Sequence, residues 1–205
     1  AEDAVTILLG SGSAMTGIDL ISNNLSLKSL SGSSVITNSH IDTADTVGDT
    51  DVLEIIRAAT ASALTMSGNT VVRVLSGTTF QPGGSVAAAD ILLAGTVATD
   101  NNTVTASGSF TITGSGAFTD LETITFNGVS GSHTIDIGAQ IFEDVVFDGP
   151  GGTWTLTGTL LSISGSLLVE AGTVVGDTTV DIDGNMTQSG GTFRGPPLLT
   201  LSGTW

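Results

Sequence analysis

Leu161-Ser-Ile163-Ser-Gly165-Ser-Leu167 returns nineteen residues later as Val180-Asp-Ile182-Asp-Gly184-Asn-Met186. It returns again, after the same interval, as Leu199-Thr-Leu201-Ser-Gly203-Thr-Trp205. The first two units stay in step beyond the motif, Gly172 matching Gly191, Val174 matching Phe193 and Gly176 matching Gly195. Upstream, Leu121-Glu-Thr-Ile124-Thr-Phe126-Asn-Gly128 matches Phe142-Glu-Asp-Val145-Val-Phe147-Asp-Gly149 at an offset of 21, and continues through His133-Thr-Ile135 and Trp154-Thr-Leu156. Joined together, the leading apolar residues Leu121, Phe142, Leu161, Val180 and Leu199 step by 21, 19, 19 and 19. The same apolar-x-apolar-x-Gly signature reads at Leu64-Thr-Met66-Ser-Gly68, Phe80-Gln-Pro82-Gly-Gly84 and Val104-Thr-Ala106-Ser-Gly108, with looser copies ending at Gly10, Gly32 and Gly95. Between Ser33 and Thr60 the signature sets no unit boundaries.

A unit this short leaves no room for a helix-bearing repeat and suits short strands separated by turns. Alternation sends successive side chains to opposite faces. Leu161, Ile163, Leu167, Val169 and Val174 are therefore expected inside, with Val180, Ile182, Met186 and Phe193 stacked on them one coil later. The expected fold is all-β: a parallel β-helix of about ten coils of roughly 19–21 residues, about 50 Å long at the strand spacing. Residues 1–205 read as one solenoid segment, irregular over 1–103 and regular over 104–205. Val52–Leu64 is open between a short helix and strands with turns. Gln188 at the place of Val169, and His133 at the place of Trp154, are the polar exceptions. Trp205 stands partway through a coil with no polar cap after it. The expectation is that the solenoid continues in a longer chain or that its end stacks on another subunit.

The 205 residues hold 20 Asp plus Glu against 4 Lys plus Arg, a formal net charge of -16. Such a surface cannot neutralise phosphates, so nucleic acid is excluded as a partner, and anionic membranes are disfavoured. No apolar run reaches the ~20 residues of a transmembrane helix. With no Cys, neither disulfides nor thiolate chemistry is available. At 40% hydrophobic residues the chain is too apolar for disorder.

Phe147-Asp-Gly-Pro-Gly-Gly-Thr-Trp154-Thr-Leu-Thr-Gly158 and Gly165-Ser-Leu-Leu-Val-Glu-Ala-Gly172-Thr-Val resemble the repeats of large secreted bacterial β-solenoid proteins: autotransporter passengers, haemagglutinin-like adhesins and giant surface repeat proteins. The resemblance covers about residues 104–205. It implies an exported, surface-attached or filament-forming rod that is structural or adhesive, and it carries no catalytic residues with it. Separately, the uncapped end points to end-to-end self-association, and surface glycans are the expected partner class.

The chain is expected not to be an enzyme and to need no organic cofactor. Its alternative is a polysaccharide-active lyase or hydrolase, because Glu122, Glu143, Asp144 and Asp148 fall on successive coils and sugar hydrolysis uses paired carboxylates. Against that, only Lys28, Arg57, Arg73 and Arg194 could hold an acidic sugar, and there is no Tyr. Calcium needs several converging hard oxygens. Asp42, Asp45, Asp49 and Asp51 form the candidate loop, whereas Asp181-Ile-Asp183-Gly-Asn185 lacks the closing acid and reads as outward positions of a coil. His40 and His133 lie far apart without Cys partners, which speaks against zinc. The Thr153-x-Thr155-x-Thr157 row is broken by Ser132, Thr134 and Asp136 one coil earlier, as an ice-binding array would not be. Asn24-Leu-Ser26, Asn101-Asn-Thr103 and Asn185-Met-Thr187 match the glycosylation pattern, at a frequency that chance explains in so Asn-, Ser- and Thr-rich a chain.

Overall fold

In a computed structural model, residues 71–194 and 197–205 are described in full, and before residue 71 nine short strands between Val5 and Met66 are described. All described elements are strands, and they pair in parallel. The chain is a β-solenoid, with three strands to a coil. Residues 71–205 make about six turns, against ten expected for the whole chain. Strands Val5–Leu9, Leu25–Ser29 and Val52–Ile55 continue the same ladder before them.

The first face carries that ladder onward through Val71–Val74, Ile91–Leu93, Phe110–Ile112, Gly131–Asp136, the later parts of Asp144–Thr157 and Leu167–Gly176, and Thr192–Phe193. The second face stacks Val86–Ala88, Val104–Ala106, Thr123–Phe126, the earlier parts of the same two long strands, and Met186–Gln188. The third face is two sheets: a six-stranded one ending at Ala117–Thr119, and a four-stranded one of Ile141–Phe142, Leu160–Ile163, Thr179–Ile182 and Leu199–Leu201. Val52–Leu64 resolves into strands Val52–Ile55 and Ala59–Ser62. Each pairs with its equivalents in neighbouring coils, which outweighs the helical preference of its alanines.

Stacking follows the sequence reading rung by rung. Leu161 lies on Val180, Ile163 on Ile182, Leu167 on Met186 and Val174 on Phe193. The lower residue of each pair is buried, and Phe193 packs partly buried at the last rung. His133 does pair with Trp154, and Val169 with Gln188. Two readings are corrected. Phe142 pairs with Ile163, not Leu161, so that step is 21 residues and not 19. A slip of two preserves strand parity, so both residues point inward and periodicity alone does not separate them. Phe80-Gln-Pro82-Gly-Gly84 is also not the equivalent of Val104-Thr-Ala106: Phe80 lies on the third face, and Val104 pairs with Val86. The apolar-x-apolar-x-Gly signature marks a corner, but not always the same corner.

The middle coils are filled with aromatic rings. Phe110 touches Phe118, Phe126 and Phe142 at centroid distances of 5.8, 5.9 and 5.8 Å. Phe126 stacks on Phe147 at 5.1 Å, and Phe147 meets Trp154 at 5.4 Å. Such pairs add about 0.5–1.5 kcal/mol each beyond their area burial. The fully buried Trp154 needs glycine around it. A Cβ on Gly149, Gly152 or Gly172 would come within 2.5–2.8 Å of its six-membered ring. The sequence repeats the arrangement one coil earlier, with Gly128, Gly131 and His133 at the places of Gly149, Gly152 and Trp154.

Candidate functional site

Two columns of polar side chains run along the corners. Where the third face turns into the second, Asp144 Oδ1 accepts the Ser166 N–H at 2.6 Å. Ser166 Oγ accepts the Asn185 N–H at 3.3 Å, and Asn185 Oδ1 accepts both the N–H and the hydroxyl of Thr204 at 2.9 Å. Where the second face turns into the first, Asp90 Oδ1 accepts the Ser109 N–H at 2.6 Å, and Ser109 Oγ accepts the Thr134 N–H at 3.1 Å. Each acceptor takes a donor from the next coil, and the Ser109, Ser166, Asn185 and Thr204 N–H groups so satisfied lie at corners outside the strands. The sequence signal was present: Ser166, Asn185 and Thr204 each follow a glycine of the nineteen-residue repeat.

These columns account for Asp144, one of the four carboxylates considered for sugar hydrolysis. Glu122, Glu143 and Asp148 are exposed. Asp144 and Glu122 are joined through the main chain, the Asp144 N–H donating to the Glu122 carbonyl at 3.1 Å. Among the described residues no group of three or more His, Cys, Asp or Glu is placed to hold a metal ion. Asp181 is an outward residue in register with Ser162 and Thr200, and the Asn185 amide oxygen is occupied by Thr204. Asp45, Asp49 and Asp51 lie outside the described residues. Asp42 ends strand His40–Asp42, whose side chains are likewise outside them. His133 is half-buried: its ring lies 6.2 Å from Trp154, and Nε2 is 3.0 Å from the Ser130 carbonyl.

The surface offers open grooves. One, of about 380 Å³, follows the bend of the two long strands. It is lined by Pro150 to Thr153, Glu170 to Thr173, Gly191 and Thr192. Thr153, Thr173 and Thr192 stand in one register row along it, and Glu170 adds an exposed carboxylate. A smaller apolar dish of about 190 Å³ lies between Leu75 and Leu92, beside Arg73. Neither groove brings an acid pair or a nucleophile and base together. The sequence reading missed both, because a groove at a strand bend leaves no periodic signature.

The Thr153-x-Thr155-x-Thr157 array does not persist from coil to coil, although Thr153 itself is continued by Thr173 and Thr192. Thr155 is followed by Val175 on the next coil, and Thr157 is preceded by Asp136. Scans against protein-family models, and searches of curated proteins and of solved structures, returned no match.

Proposed function

We propose that the chain is a structural or adhesive rod outside the cell, of the kind that large secreted bacterial repeat proteins build. The observation that supports this reading is the parallel ladder itself, which runs from strand Val5–Leu9 to Thr192–Phe193 with each rung templating the next. Every added coil extends the same core and the same hydrogen bonds, so mechanical reach grows with repeat number. Leu199 and Leu201 on the last rung are only partly buried, which fits a coil of a second copy stacked on them. Surface glycans are the proposed adhesion partners. The net charge of -16 keeps rods apart in solution.

Protease shaving of intact source cells, followed by immunoblotting, tests the location. Electron microscopy of the purified chain tests the shape. Shaving should remove the protein, and images should show rods that join end to end with an axial repeat near 50 Å, from a rung spacing of about 4.8 Å. Protection from protease in intact cells, together with isolated compact particles at every concentration, would overturn the reading.

A further inference from the structure

The three Asn-x-Ser/Thr triplets are equivalent as sequence and not as structure. Asn24 lies outside the described residues. Asn185 is held by its coil: its amide oxygen accepts two hydrogen bonds from Thr204, and the middle residue of its triplet, Met186, is a buried core residue. Asn101 is different. It sits at the tip of the corner between strands Thr96–Ala98 and Val104–Ala106, exposed to solvent. Asp100 and Asn101 have φ of 52° and 60°. Two successive residues in the left-handed region turn the tip outward, a conformation that Asn and Asp tolerate better than most residues. The base of the corner is pinned from the next coil. The Thr99 hydroxyl bonds the Thr119 and Asp120 carbonyls at 3.0 and 2.7 Å, and the Asn101 N–H bonds the Asp120 carbonyl at 2.7 Å. The Asn102 amide is spent on the Thr99 carbonyl at 2.6 Å. The Asn101 side chain makes no hydrogen bond to the described residues, and Thr103, also exposed, donates to Ser85 Oγ at 3.0 Å.

We propose that Asn101 is a glycan acceptor, and the triplet of the two described in which the fold accommodates a sugar without losing a contact. The donor is a lipid-linked oligosaccharyl pyrophosphate presented by a membrane transferase. The Asn101 Nδ2 forms the bond to C1 of the first sugar, the C1–O bond to pyrophosphate breaks, and one amide proton passes to a base of the transferase. The glycan then projects from a corner, clear of the core and of all three ladders. There it adds an uncharged hydrated mass that holds neighbouring rods apart. This inference rests on the extracellular reading, since such transfer acts on exported chains.

The test expresses the full chain with an export leader in a host that carries an oligosaccharyltransferase, and reads intact mass and glycopeptides before and after a peptide N-glycosidase. The expected result is a glycan at Asn101. It is lost in Asn101→Gln and Thr103→Ala, retained in Thr103→Ser, and unaffected by Asn185→Gln. Circular dichroism should be unchanged in all four variants, which separates loss of the acceptor from loss of the fold. An exported, folded chain without sugar at Asn101, or with sugar chiefly at Asn185, would overturn the assignment. Protease shaving of the source cells fails or succeeds independently of this result, so failure of the location and failure of the site are distinguishable.

Discussion

Trp154 is the largest fully buried side chain among the described residues, and its indole Nε1 is a buried polar atom without a hydrogen-bond partner. Those two facts pull in opposite directions, and Trp154→Phe separates them. Trimming the indole to a phenyl ring removes about two buried carbon groups at ~0.8 kcal/mol each, and the void left behind raises the loss to about 2 kcal/mol. The same substitution deletes an unsatisfied buried donor, which relieves a desolvation penalty of about 1–3 kcal/mol. The expected net change is within about 1 kcal/mol of zero. Trp154→Ala keeps the relief but loses the packing with Phe147 and His133 as well. It should cost about 3–5 kcal/mol. Urea titrations followed by far-UV circular dichroism give both numbers, with an unchanged urea slope confirming that the midpoint shift reports stability. A Trp154→Phe cost close to that of Trp154→Ala would refute the reasoning. It would mean that the indole N–H has a partner, such as an internal water, and that the glycines around it frame a polar site.

Gly172→Ala should destabilise by about 2–5 kcal/mol in the same titration: its φ is 80°, and the new Cβ would crowd Trp154 and the Gly152 carbonyl. Asn185→Ala, which removes the acceptor of two bonds from Thr204, should cost about 1 kcal/mol. Hydrogen exchange should show that loss concentrated at residues 197–205, with the first-face ladder unaffected. Light scattering across pH should place minimum solubility near the isoelectric point of about 4.1, where repulsion between rods vanishes. At neutral pH, association should rise as salt screens the charge.

The repeat was legible because a solenoid writes each tertiary contact into the sequence twice, once per coil. Leu161 over Val180 and Leu167 over Met186 followed from matching residues at one spacing. Positions where the spacing changes were less legible. Phe110 pairs with Ile135 on the first face, a step of 25, while Val104 pairs with Ile124 on the second, a step of 20. Extra residues enter at individual corners, so one coil has no single period. Val52–Leu64 was ambiguous because its strands are short, with alanines in and around the second, and only their ladder partners decide them. The candidate site was legible in part. Outward positions such as Asp181 could be assigned by repeat alignment, and the glycines before Ser166, Asn185 and Thr204 mark the places of the column, but not its hydrogen bonding. Reading it requires knowing that consecutive coils place an acceptor opposite the next coil's N–H.

That column supplies what the apolar ranks lack. A slip of two residues leaves every inward residue inward, so Phe142 on Leu161 buries nearly as much as Phe142 on Ile163. The polar corner does not tolerate the slip. Asp144 must meet the Ser166 N–H, and the residue before that donor must be glycine, since a Cβ on Gly165 would strike the Glu143 carbonyl at 2.6 Å and the Asp144 carboxylate itself. Gly184 before Asn185 and Gly203 before Thr204 repeat the constraint against Ser166 and Asn185, with added Cβ atoms at 2.9 and 2.6 Å from the accepting oxygens. Gly108 before Ser109 faces Asp90 in the same way at the other corner. At these four corners a glycine followed by a polar residue is therefore a register mark that fixes its coil on its neighbour. Apolar alternation holds the solenoid together; the glycine–polar pairs select which of its parity-equivalent stackings forms.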